Sequence, residues 1–296
     1  MHAHTFRRYL AADHHAVSSR RKSTTRRSRG SRALADAASR GCRRSDDREA
    51  CSRRARTGPG VRDAGDAVPD RPIVVGLTAS TTHATAARAR ELAALRPDGL
   101  LVTPPVYVRP TQDGIRRHVE AIVDAADLPV LVYNIPYRTG VNVELDTLQA
   151  LARDPRVAGI KECGGTLDRM SRLVHDTPLA VLSGDDNQNF AALCAGAHGT
   201  IASSAHVLPE WHVRIHALLR DGRLADARRM SAALQPLVAA LFAEPNPAPV
   251  KAVLAAQAWC ENELRLPFVP ASDGLCATLA QLCAELDAHA PAAALA

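Results

Sequence analysis

From residue 71 onward, short apolar runs alternate with helical stretches, and this alternation restricts the fold more than any other feature of the chain. PIVVGL (72–77) precedes THATAARARELAAL (82–95), and DGLLVT (98–103) precedes TQDGIRRHVEAIVDAA (111–126). LPVLVYN (128–134), VAGIK (157–161), LAVLSG (179–184) and HGTIAS (198–203) lead into further helical patterns at 143–153, 166–176, 186–196 and 208–222. The strands are apolar throughout, without polar alternation, so both of their faces are expected in a core. A parallel sheet wrapped in helices has that property. Six strand–helix units, repeating at about 25 residues, point to a (β/α)8 TIM barrel, with reactive groups at the C-terminal ends of the strands. A doubly wound sheet is the runner-up, but no Gly-rich phosphate loop follows the first strand. After residue 222 come three more helical stretches, LADARRMSAALQPLVAALFA, PAPVKAVLAAQAWCEN and LCATLAQLCAELDAH, which predict a C-terminal helical region over 223–296.

Residues 1–70 have a different texture. They carry 17 Lys and Arg against 8 Asp and Glu, so the formal charge of +6 for the chain belongs to them, and the remainder is net −3. Only Phe6, Leu10, Val17, Leu34, Val61 and Val68 represent the large aliphatic and Phe residues there, too few for a core. A basic arm for nucleic acid would need aromatic interleaving or a motif, and neither occurs. A transit peptide would be poor in acidic residues. The composition favours two other readings: a solvated disordered tail, or a stretch that is not the native reading frame, as when a GC-rich gene is read from a wrong start. The seven cysteines are scattered, with no C-x-x-C pair, which fits reduced thiols in a cytoplasm better than a disulfide framework or a zinc site. No apolar run reaches the ~18–20 residues of a membrane span, so a soluble protein is expected.

Two strands end on reactive groups. LPVLVYN stops at Tyr133 and Asn134, and VAGIK stops at Lys161. A lysine commonly snorkels to solvent. Held inside a barrel mouth, however, its ammonium is disfavoured, and the free amine attacks ketones to form a Schiff base. An imine of that kind draws electrons from the adjacent carbon, so a bound 2-keto acid becomes a nucleophilic enamine. Tyr133, on the neighbouring strand, is placed to carry protons. Arg138, five residues further on, offers a planar fork for a carboxylate. A buried tyrosine or a surface arginine is common alone; all three groups at one barrel mouth is a rarer combination.

YNIPYRTG (133–140), GIKECGG (159–165), SGDD (183–186), EPNPAPVK (244–251) and LRLPFVP (264–270) resemble the dihydrodipicolinate synthase family of pyruvate-dependent class I aldolases. The arginine in Y-N-x-P-x-R-T-G resembles the synthase branch more than the sialic acid lyases. The resemblance runs from about residue 71 to the last helix. It implies Lys161 as the lysine that forms the Schiff base with pyruvate, Tyr133 as the proton-relay tyrosine, and Arg138 as the group that binds the carboxylate of aspartate semialdehyde. Tyr107, in TPPVYVRP, matches the tyrosine that reaches into a neighbouring subunit's site. Gly184 and Ile201 match positions that shape the pyruvate pocket. No metal or organic cofactor is implied, and the expected assembly is a homo-oligomer, a tetramer by resemblance.

The family's first two strands, with their G-T-T-G-E loop, have no counterpart in 1–70. The expected architecture is therefore a barrel lacking its first two βα units over 71–222, and a proton relay without its threonine. The implied reaction condenses pyruvate with L-aspartate 4-semialdehyde in lysine and diaminopimelate biosynthesis. The alternatives are another 2-keto-acid aldolase or dehydratase of the same family, or a catalytically inert truncated remnant.

Overall fold

A computed structural model describes residues 72–288. The readings made for residues 1–70, including the absence of two strands and a threonine loop, lie outside the described residues. Among those described, residues 72–201 form one compact unit and residues 202–288 a second.

The first unit follows the predicted succession. Its elements are β1 (Val74–Leu77), α1 (Thr82–Ala93), β2 (Gly99–Val102), α2 (Gln112–Ala126), β3 (Val130–Asn134), a short α3 (Pro136–Thr139) and α4 (Leu145–Leu151). They continue with β4 (Val157–Glu162), α5 (Leu167–Asp176), β5 (Ala180–Ser183), α6 (Asn189–Cys194) and β6 (Gly199–Thr200). The six strands pair in sequence order, each parallel to the next. Two details depart from the expectation. Helix α3 was not predicted, and the stretch 186–196 divides into a 3-10 turn at Asp186–Gln188 followed by α6.

Threonines start three of these helices. The side chains of Thr81, Thr111 and Thr166 accept from the amides of Ala84, Gly114 and Arg169, each at 3.2 Å, satisfying donors that a helix N-terminus leaves open. The helices cover one face of the sheet, where Val102, Val130, Val132, Ile160 and Val181 pack against Ile115, Val119, Ile122 and Leu173. The other face holds a smaller cluster of Leu131, Ala158 and Leu182, flanked by Val74, Leu101 and Ile201.

An irregularity in β4 decides which side chains reach the site. Val130 pairs with Val157 but Leu131 pairs with Gly159, so β4 carries one extra residue there. Ala158 lies in the inner cluster and Ile160 in the outer one. Simple alternation from Ala158 would turn Glu162 inward; the bulge resets the alternation and turns Lys161 inward instead. Gly159 is the residue that allows it, since a Cβ there would stand 2.4 Å from the Ala180 carbonyl oxygen.

The second unit contains α7 (Pro209–Arg220), α8 (Leu224–Leu241), α9 (Ala248–Ala256) and α10 (Asp273–Ala288), matching the helical stretches read from the sequence. Leu218, Leu234, Leu237 and Leu241 are buried in it, and Ala248, Ala252 and Ala271 form a small cluster. Among the described residues no helix is long and apolar enough to cross a membrane.

Candidate active site

The parallel register sets Tyr133 opposite Lys161, each one residue before the end of its strand. Lys161 Nζ stands 4.4 Å from the centre of the Tyr133 ring, within cation–π range. Burial pushes the Lys161 ammonium below the ordinary lysine range, against the opposing pull of Asp186 and Asp185. More of its amine is therefore free at neutral pH than in an exposed lysine. Burial moves the Tyr133 hydroxyl the other way, above the ordinary tyrosine range. The neighbouring Cys163 and Tyr137 reinforce this, and Arg138 opposes it. Tyr133 thus keeps its proton at neutral pH.

Cys163 completes this cluster. It follows Lys161 by two residues, is 1% exposed, and its thiol is pushed up to about 12, mainly by burial and then by Asp185. The sulfur is a hydrogen-bonding neighbour of both the Tyr133 and the Tyr137 hydroxyls. Asp185 accepts from the Gly164 amide and, at 3.5 Å, from the Tyr137 hydroxyl.

Gly184 forms the wall beside the lysine. A Cβ at this position would lie 2.3 Å from Cys163 Sγ and 2.6 Å from Lys161 Cε. The buried thiol has no room to retreat, so the longer Lys161 side chain is the partner that gives way. Gly184→Ala is therefore expected to displace the Lys161 side chain and, where Lys161 captures pyruvate as the resemblance implies, to slow formation of that adduct by about 100-fold, the scale of an ångström-sized misplacement. Borohydride trapping at fixed times checks this; trapping at the parent rate would show that the wall yields.

The other candidates are placed as follows. Arg138 lies in α3, exposed, with its charge acting on both Lys161 and Tyr133. Ile201 packs against the inner cluster. Tyr107 is not brought to the pair; it is 91% exposed, on the loop between β2 and α2, with a left-handed φ of 75°. Cys163 and Asp185 were not singled out from the sequence. Alternation along a strand carried the signal for Cys163, since a residue two beyond Lys161 shares its face. Among the described residues, no group of three or more His, Cys, Asp or Glu side chains is arranged to hold a metal ion.

The model of the Dihydrodipicolinate synthetase family matches residues 61–285. The chain belongs to that family. A 4-hydroxy-tetrahydrodipicolinate synthase of Thermotoga neapolitana is 41% identical over 208 residues, covering 68% of this chain and 71% of the relative. The crystal structure of dihydrodipicolinate synthase from Thermotoga maritima superposes with a TM-score of 0.75 at 33% identity, covering 86% of this chain and 91% of that one. The structure of the 4-hydroxy-tetrahydrodipicolinate synthase of Methylacidiphilum fumariolicum does so with a TM-score of 0.74 at 34% identity, over 77% of each chain. The parallel strand–helix sheet of the first unit is thus that of the family's TIM-barrel fold.

Proposed function

We propose that this chain condenses pyruvate with L-aspartate 4-semialdehyde, as a 4-hydroxy-tetrahydrodipicolinate synthase of lysine and diaminopimelate biosynthesis. The observation that carries this reading is a half-buried Lys161, its pKa lowered, beside the ring of Tyr133. The Lys161 amine attacks the keto carbon of pyruvate, water leaves, and the imine acidifies the adjacent methyl group. Tyr133 carries the proton that departs, and the resulting enamine attacks the aldehyde. Arg138 holds the carboxylate of the semialdehyde through its planar fork. Gly184 and Ile201 shape the pyruvate pocket, and the only carrier needed is the covalent imine on Lys161. The test is a coupled assay with both substrates, paired with borohydride trapping of pyruvate read by intact mass. Turnover with another aldehyde but not with the semialdehyde would move the chain to a different 2-keto-acid reaction within the family.

Arg138 separates the two substrates. Arg138→Ala is expected to raise the KM for the semialdehyde about 10- to 100-fold, the value of a charge-assisted bond, while leaving the pyruvate adduct intact. Equal losses for both substrates would reassign Arg138 to the keto-acid pocket.

On the same reading, residues 71–222 are units three to eight of the barrel and 223–296 a helical region appended to it. The nucleotide sequence before codon 71, translated in all three frames, tests this. The enzyme is cytoplasmic and homo-oligomeric, a tetramer, with Tyr107 reaching toward a neighbouring subunit's site. One sequence observation favours a second reading, an inert remnant: no G-x-T-G-E run occurs in 1–70. An adduct with pyruvate but no turnover would support it.

A further inference from the structure

Directly behind Tyr133 and Lys161, on the helix-facing side of the sheet, lies a buried polar network that the reaction itself does not use. Asn134 and Glu162 each follow a site residue on its strand, and the register pairs them as it pairs Tyr133 with Lys161. They are 0% and 2% exposed. Asn134 Nδ2 donates to Glu162 Oε1 at 2.8 Å, a side-chain bond across the two strands. Arg169, from α5, closes on the same carboxylate with its fork, Nε to Oε1 at 3.0 Å and Nη2 to Oε2 at 3.2 Å.

The network reaches one segment further. Asn134 Oδ1 accepts from the Val143 amide at 3.0 Å, and Arg169 Nη2 donates to the Val143 carbonyl at 2.6 Å. Asn134 Nδ2 also donates to Asn142 Oδ1 at 2.8 Å. Both backbone polar groups of Val143 are therefore held by the two side chains that hold Glu162. Residue 143 ends the loop that leaves α3, where Arg138 sits. One ion pair and one amide thus tie together the end of β3, the end of β4 and the α3 loop. The first two segments carry Tyr133 and Lys161, and the third follows directly on α3, which carries Arg138.

We infer that Asn134, Glu162 and Arg169 are positioning residues for the reaction, holding the Schiff-base lysine, the tyrosine and the carboxylate-binding arginine in one geometry. The inference rests on the function proposed above. Its physical basis is the low tolerance of such chemistry for misplacement, where an error near an ångström costs about 100-fold in rate. It also explains the arrangement: burial pushes the Glu162 carboxyl up, and Arg169 with Asn134 opposes this. A buried carboxylate so placed is costly unless its partners are fixed. Here the partners are fixed to the backbone of the loop that must be oriented.

Arg169→Lys is the informative variant, because it keeps the charge and loses the planar fork. It is expected to trap pyruvate on Lys161 to the parent's extent. Its kcat should fall about 10- to 100-fold, and its KM for the semialdehyde should rise while that for pyruvate does not. Asn134→Ala should give the same pattern. Glu162→Gln, which keeps shape and one acceptor, should recover part of what Glu162→Ala loses. Rates are counted per trapped Lys161, so a variant that only unfolds more easily shows a lower Tm with unchanged kcat and KM. Values within about twofold of the parent in both Arg169→Lys and Asn134→Ala, the threshold being RT-scale energy, would overturn the inference. If the parent protein itself traps no pyruvate, the proposed function falls and this inference with it. If the parent traps it and the variants behave as the parent does, only the inference falls.

Discussion

Lys161→Ala is expected to abolish both the borohydride-stable adduct with pyruvate and all synthase turnover. On the proposed function the amine is the atom that forms the bond, and no neighbour replaces it: Cys163 is a thiol held protonated by burial, and Tyr133 a phenol held protonated by burial. Lys161→Arg should fail equally, since a guanidinium does not deprotonate to attack a ketone. The chain makes the result easy to locate, because it contains three lysines, Lys22, Lys161 and Lys251. Lys251 lies in the second unit, donating to the Glu263 carbonyl. A pyruvate adduct surviving on Lys251 in the Lys161→Ala protein would move the site and sink the assignment. The pH dependence supplies a second check on the same residue. Burial lowers the Lys161 pKa, so the free amine appears at a lower pH than in an exposed lysine. The initial trapping rate in the parent should then rise with pH through a midpoint below about 10.4, the ordinary lysine value. A midpoint at or above that value would mean that the nearby Asp185 and Asp186 outweigh burial, and that the amine is not activated by its surroundings.

How far the sequence could be read depended on which physical signal each feature leaves in it. Strands β2 to β5, buried on both faces, leave continuous apolar runs and were visible for that reason, while β1, only partly buried, and β6, which has two residues, were read from their place in the strand–helix repeat. Helices with a wetted face leave a period, and those too were visible, whereas α3 is a single turn and leaves none. The inward direction of Lys161 was beyond periodicity. VAGIKE reads with either parity, and the choice is made by one extra residue between Val157 and Gly159. The resemblance identified the lysine; the bulge shows what points it into the site. The network of Asn134, Glu162 and Arg169 was hidden for another reason. Its members come from β3, β4 and α5, and each alone looks like an ordinary polar residue at the end of a strand or in the first turn of a helix. Tyr107 is the reverse case, selected by resemblance and left exposed on the loop between β2 and α2.

Tyr133→Phe is expected to separate imine formation from everything that follows it. The phenyl ring keeps the packing over Lys161 Nζ, which depends on the ring face 4.4 Å away and not on the hydroxyl. Lys161 therefore keeps its burial, the first cause of its lowered pKa, and the variant should still be trapped with pyruvate by borohydride. The lost group is the hydroxyl, which burial holds in its protonated form and which has Cys163 as a hydrogen-bonding neighbour. A hydroxyl so placed accepts a proton from the methyl carbon of the imine while passing its own onward, a service worth about 10²–10⁴ in rate for a positioned acid–base group. The kcat should fall by that factor, and the exchange of pyruvate methyl hydrogens with deuterated water, followed by NMR, should fall by the same factor. The comparison is strict because both proteins carry the same covalent intermediate. Tyr137→Phe provides the contrast: its hydroxyl shares the sulfur of Cys163, but its side chain is largely exposed and its bond to Asp185 is long at 3.5 Å. Its removal should cost little beside the loss at Tyr133. Methyl exchange at the parent rate in Tyr133→Phe, with the adduct present, would show that another group takes the proton. The cluster of Cys163, Tyr137 and Asp185 would then hold the first candidates, and Tyr133 would be left as the surface against which the lysine packs.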